Sequence, residues 1–224
     1  MTRTALMVLA CLIPPAAGVS AQDGAPAGRF EVGGGITWVG RATLGPSDAT
    51  ETTPQGTPSP FFNTSSTLAA APGVGVHVGV RITRRIEADV LASVTKPVLR
   101  ATVSGDIETS ATVTASETIS QYTVGGGVIF YLPYRLGSPK LLPFVSGSAA
   151  YLRQLHGGNT LVVTGQMYQL GGGVKYLLGV RDRSWLKAYG VRADAGLAAR
   201  VKGVAFDAGA KYSPSLAASL FARF

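Results

Sequence analysis

Two histidines, one cysteine and three runs of glycine are the residues in this 224-residue chain best suited to chemistry. His156 stands in Leu155-His156-Gly157-Gly158-Asn159-Thr160. A catalytic histidine needs a nucleophile and an orienting acid within reach. No serine adjoins it, so it reads as a solvated loop histidine. His77 shares a period-two face with Arg81, Glu87 and Asp89, a set suited to a buried polar relay that no substrate reaches. The glycine runs are Gly33-Gly34-Gly35, Gly125-Gly126-Gly127 and Gly171-Gly172-Gly173. Each has an aromatic residue three past its last glycine: Trp38, Phe130 and Tyr176. A phosphate-cradling loop requires a helix after the glycines. Here a strand pattern continues instead, so the glycines serve curvature and interior room. A single cysteine, Cys11, excludes a disulfide scaffold and any multi-cysteine metal site. No metal or cofactor is expected.

Composition narrows the class. The chain carries a net charge of +8, only 14% charged residues, 29 glycines and a mean hydropathy of +0.26. Low charge with high hydropathy argues against disorder. Glycine and β-branched residues favour strands over helices. The first residues read as an address: Arg3, an apolar run Ala5 to Ile13, then Val19-Ser20-Ala21 with small residues where signal peptidase needs them. We expect residues 1–21 to be a signal peptide cleaved after Ala21, leaving 22–224 as one barrel domain without cysteine. A competing lipoprotein-like cut at Val8-Leu9-Ala10-Cys11 leaves too short an apolar segment. No stretch of 18 apolar residues follows, so no transmembrane helix is expected.

From residue 29 the pattern alternates with period two. It predicts eight strands, at about 29–43, 72–83, 86–100, 116–132, 141–155, 162–180, 185–200 and 209–224. In the third, Ile86, Ala88, Val90, Ala92 and Val94 share one face, with Glu87 and Asp89 on the other. The fifth does not settle which face is apolar. Short connections alternate with long polar ones, as in an up-and-down barrel with short turns at one end and loops at the other. In the first long connection, Gly45–Ala71, the loop 45–66 is rich in Thr, Ser and Pro and is expected to be solvated and mobile.

Alternation does not say which face is inside. A soluble lipocalin-like carrier puts its apolar face inward, and a membrane barrel puts it outward. The non-apolar face here is small residues with scattered charges, which fits a cramped lumen. Its charges, His77, Arg81, Glu87, Asp89, Lys175, Arg192, Asp194 and Lys211, with Glu31 and Arg223, form a candidate interior network. Arg81 falls opposite Glu87, and Asp194 lies between Arg192 and the neighbouring Lys175 and Lys211. Aromatics recur eight residues apart on the apolar face: Phe30 and Trp38, Tyr122 and Phe130, Tyr168 and Tyr176. Eight residues span ~26 Å of strand, or ~20 Å along a tilted barrel axis, close to the height of a membrane band. Trp185, Tyr189 and Tyr212 extend these two girdles. The expected fold is therefore all-β, an eight-stranded antiparallel up-and-down transmembrane β-barrel.

The signal peptide, the eight strands and the terminal Phe224, with Leu216 and Leu220 alternating up to it, resemble the small outer-membrane β-barrel proteins of the OmpA, OmpW and OmpX type. The resemblance covers residues 29–224 and is one of architecture. It implies a Gram-negative outer membrane, surrounding lipid and lipopolysaccharide, and recognition of Leu216, Leu220 and Phe224 by the barrel-assembly machinery. No trailing peptidoglycan-binding domain is expected, because the chain stops at its last predicted strand. The role expected is structural or interactive, with four outer loops open to an unknown surface ligand and no catalysis. Two alternatives stand beside it: a lipid-modifying enzyme using His156, and the soluble carrier of an apolar ligand.

All of the +8 comes from residues 113–224, with twelve basic and four acidic groups. Lys175, Arg192 and Arg223 fall inward, which disfavours a nucleic-acid surface. Arg153, Arg200 and Lys202 lie near the outer loops and are expected to meet lipid phosphates.

Overall fold

A computed structural model describes residues 28–52, 58–104, 112–133, 138–157, 161–181, 185–203 and 209–224, with the backbone alone for 47–52 and 58–62. The expected signal peptide lies outside the described residues. Among them are twelve strands: β1 (Phe30–Val39), β2 (Ala42–Thr52), β3 (Pro58–Leu68), β4 (Ala71–Arg81), β5 (Ile86–Thr95), β6 (Val98–Ser104), β7 (Val113–Thr118), β8 (Ser120–Tyr131), β9 (Leu141–Leu155), β10 (Val162–Val180), β11 (Ala188–Lys202) and β12 (Lys211–Arg223).

Eight of these close into an antiparallel barrel in the order β1-β12-β11-β10-β9-β8-β5-β4. Each falls on one of the eight segments that the alternation marks. Closure removes every edge, so the backbone donors and acceptors of the wall are paired. The seam is β1 with β12, running from Glu31 opposite Arg223 to Val39 opposite Ser215. Phe224 locks its end: its amide donates to the Phe30 carbonyl, and its carbonyl accepts from Arg29 and Phe30. The Phe224 ring stacks on Trp185, 4.9 Å between centroids.

Beyond the wall, β2, β3, β6 and β7 form a separate four-stranded sheet in that order. This corrects the expectation of a mobile loop over 45–66. Two hairpins, β2–β3 and β6–β7, meet through β3 and β6. Threonine pairs well across strands, and Thr102 and Thr114 hydroxyls lie 3.3 Å apart. At the root of the sheet Ala42, Leu44, Leu68 and Ile119 make a small buried core with Leu99 packed against it. The short turns behave as expected. In the β4–β5 turn the Thr83 hydroxyl accepts from the Arg85 and Ile86 amides.

The strand continues through every glycine run. Gly33 and Gly79 show why the lumen needs them. A Cβ on Gly33 would sit 2.4 Å from the His77 ring, and one on Gly79 would sit 2.7 Å from Glu87 Oε1. The glycines vacate space that charged side chains fill.

Candidate functional site

The two faces of the wall differ in kind: the buried charges are inward, and the exposed band is mostly apolar. Outward stand Ile36, Val74, Val76, Val78, Leu170, Leu197, Leu216 and Leu220, all exposed. Inward and buried are Glu31, His77, Glu87, Asp89, Lys175 and Arg223. A soluble carrier needs the reverse, so that alternative does not fit the fold. The fifth predicted strand, β9, resolves the same way: Phe144, Ala150, Leu152 and Gln154 are buried, while Val145 and Tyr151 are exposed.

Inside, charges gather in two layers. The layer near the short turns holds Lys175, whose Nζ donates to Glu31 at 2.6 Å and to Glu87 at 2.8 Å. Arg223 bonds the same two carboxylates, and the Tyr131 hydroxyl donates to Glu87. Two carboxylates are thus each shared by two cations, and a third cation lies close by. Arg81 lies across from Glu87 in the register, and its guanidinium sits over the Tyr131 ring. The second layer is Arg192, bonded to Asp194 on its own strand and to Asp89 across the lumen, each at 2.9 Å. His77 stands 3.5 Å from Glu31.

Two pairings differ from those expected of adjacent strands. Lys175 lies directly opposite Arg192, an unfavourable like-charge pair. Each is neutralised by carboxylates reached across the lumen, so Asp194 serves Arg192 and not Lys175. Lys211 pairs in register with Arg200 at the loop end, well away from Asp194, which faces Ala217.

The lower lumen is filled: Arg223, Phe144, Lys175, Ile129 and Leu177 are among its largest fully buried side chains. Above, a cavity of about 140 Å³ is bounded by His77, Asp89, Arg192, Asp194, Met167 and Ser215 among others. Among the described residues no cluster could hold a metal ion.

The aromatic residues form two rims. Phe30 faces Val80 and Trp38 faces Pro72 at opposite ends of β4. Tyr122, Tyr168 and Tyr212 stand with Trp38 towards the loops, and Phe130, Tyr176, Tyr189 and Trp185 with Phe30 towards the turns. All but Phe130, which is half-buried, are exposed. Tyr151, exposed by 54%, joins the loop-side rim, a member the ambiguous fifth segment hid. Leu216 and Leu220 point outward on the last strand.

His156 is not a free loop histidine. Its Nδ1 lies 2.9 Å from Glu117 Oε2, and the Gly157 amide donates to Glu117 Oε1 at 2.6 Å. The signal was hard to find, because the predicted strand 116–132 takes Glu117 into the barrel wall, whereas it lies on β7 of the separate sheet. An acid on Nδ1 is half of a catalytic relay, but His156 Nε2 is buried and has no partner. His156 and the Gly157 amide hold the Glu117 carboxyl below its ordinary value of 4.5. A carboxylate with a lowered folded value stabilises at pH above its unfolded value, and that contribution fades as pH falls through the lowered one. We therefore expect the Gly157 amide to be protected from exchange at pH 6. That protection should fall as pH drops below the ordinary carboxyl value of 4.5 and be absent at all pH in Glu117→Ala. Equal protection in that variant would show that the contact does not hold the loop.

The closed ladder and its segregated faces define the class: a small inside-out β-barrel, of the architecture that the sequence resembles. No family model and no curated protein sequence matches the chain. Among solved structures it is similar to Neisserial surface protein A, at 16% identity and a TM-score of 0.49, covering 87% of this chain and 97% of that one. It is also similar to the N-terminal β-barrel domain of Pseudomonas aeruginosa OprF, at 14% identity and a TM-score of 0.36, covering 87% and 99%.

Proposed function

We propose that this chain is an integral outer-membrane barrel of Gram-negative type, with a structural or surface-interaction role and no catalysis. The observation that carries the reading is the exposed apolar band between two aromatic rims, around a lumen that holds the charges. In water such a band would be a far larger apolar patch than soluble proteins tolerate. In a bilayer it is the required surface. The band would meet acyl chains, and exposed Arg153 at the loop end would meet lipid or lipopolysaccharide phosphates. Leu216, Leu220 and Phe224 would be the segment read by the assembly machinery. The loop-end sheet β2-β3-β6-β7 would be the part shown to an outside partner.

The test is gel mobility of the membrane fraction in detergent, cold and boiled. A folded barrel should resist the detergent cold and run at a different apparent mass from the boiled chain. A single unshifted band in the soluble fraction would overturn the proposal. The enzyme reading makes a separate demand: expression should change the mass of lipid A, and His156→Ala should abolish the change.

A further inference from the structure

Among the described residues, Arg200 is a buried cation with no answering carboxylate. It sits near the end of β11, on the same inward face as Arg192 and Asp194, and is only 5% exposed. It therefore does not face lipid phosphates, as its place near the loops first suggests. Its Nε and Nη1 are buried and have no hydrogen-bond partner. The five carboxylates with described side chains are engaged elsewhere. Glu31 and Glu87 hold Lys175 and Arg223, Asp89 and Asp194 hold Arg192, and Glu117 holds His156. Directly across from Arg200 in the register stands a second cation, Lys211. Diagonal to it is Ser213, opposite Ala198, with a buried hydroxyl that also has no partner. A buried guanidinium without a counter-charge is costly by several kcal/mol, and a like charge opposite adds to the cost.

The lumen cavity begins beside Arg200. On its other side Arg200 faces Met167, which in turn faces Ala150. Met167, opposite Arg200, and Ala198, two residues before it on the same face, line the 140 Å³ cavity, so the cavity reaches the neighbours of Arg200. Deeper in the cavity Asp89 and Asp194 outnumber Arg192, so an anion is favoured at Arg200 and not below it.

We infer that Arg200, with Lys211 and Ser213, binds a small phosphate-class oxyanion inside the loop-end mouth of the barrel. Guanidinium nitrogens match tetrahedral oxyanions in geometry and charge. Lys211 adds a compact positive charge, and the Ser213 hydroxyl donates. The site faces the lumen and is walled off from acyl chains, so a free anion is the favoured source over a lipid headgroup.

The experiment uses the full barrel folded in a phosphate-free detergent such as a maltoside. The midpoint of its heat-induced unfolding is followed as sodium phosphate is added, against sodium chloride at equal ionic strength. The wild type should gain several degrees with phosphate beyond the chloride control. Arg200→Gln should gain nothing. It should also be at least as stable as wild type without phosphate, because it removes an unanswered buried charge. Lys211→Gln should weaken phosphate binding about tenfold, the loss of one charge-assisted contact. A second arm adds phosphatidic acid in place of free phosphate. A gain in either arm that Arg200→Gln abolishes supports the site and assigns its source. No gain in either arm, or an equal gain in Arg200→Gln, overturns it.

Discussion

Lys175→Met is expected to destabilise the folded barrel by about 3–5 kcal/mol, the cost of breaking a buried ion pair from one side. Lys175 is completely buried and bonds Glu31 and Glu87 at once. Its removal takes from both buried carboxylates the ammonium that bonds them at 2.6 and 2.8 Å, and leaves them one cation short. The methionine fills much of the space, so the loss is chiefly electrostatic and not a cavity. Removing the matching negative charge should restore stability: Lys175→Met with Glu87→Gln should recover at least half of the loss. The control is Lys140→Met, at an exposed lysine beside a short turn, which should stay within about 0.5 kcal/mol of wild type. Urea titration of the barrel in vesicles reads all three. A Lys175→Met midpoint indistinguishable from that of Lys140→Met would mean that water already reaches the layer.

The ion-pair layer also shows how far the sequence could be read. Period two assigns Glu31, Glu87, Lys175 and Arg223 to one face, because parity is a property of each strand alone. It cannot assign partners. Lys175 is on β10, but its carboxylates are on β1 and β5, and neither strand adjoins β10. Contacts across a lumen depend on barrel closure and shear, which no local pattern records. The same limit explains Asp194, expected beside Lys175 and found on Arg192. For Arg200 the parity signal was present: it is an even number of residues from Arg192 and Asp194. Its nearness to the loops suggested a lipid-facing role instead. The loop-end sheet was less legible for a different reason. Segment 45–66 lacks apolar alternation, and its ladder is broken by irregularities at Thr43/Gly45 and Ala49/Thr50. Its hairpins are held by pairing and by a few buried residues at their root, so their strands look like polar loop. With that sheet unseen, the bond from Glu117 to His156 could not be anticipated.

The facing of the wall makes the second large prediction, and it separates a bilayer from water. Val76 and Val113 are nearly equally exposed, at 60% and 62%. Val76 pairs with Gly34, midway between the Phe30 and Trp38 rims. Val113 is on β7, in the sheet beyond the barrel wall. In water the two positions are equivalent surface sites, and arginine at either would change stability by at most about 0.5 kcal/mol. In a bilayer they are not. Arginine at the midplane of a barrel wall costs about 2–4 kcal/mol, falling towards zero at the interfaces. We expect Val76→Arg to lose about that amount in phosphatidylcholine vesicles, and Val113→Arg to match wild type. Both variants keep the same side chain on the same kind of strand, so propensity cancels from the difference. If both valines tolerated arginine equally, the band around Val76 would not be immersed in lipid. The apolar outer face would then have to be covered by protein, and the barrel would be one wall of a larger assembly.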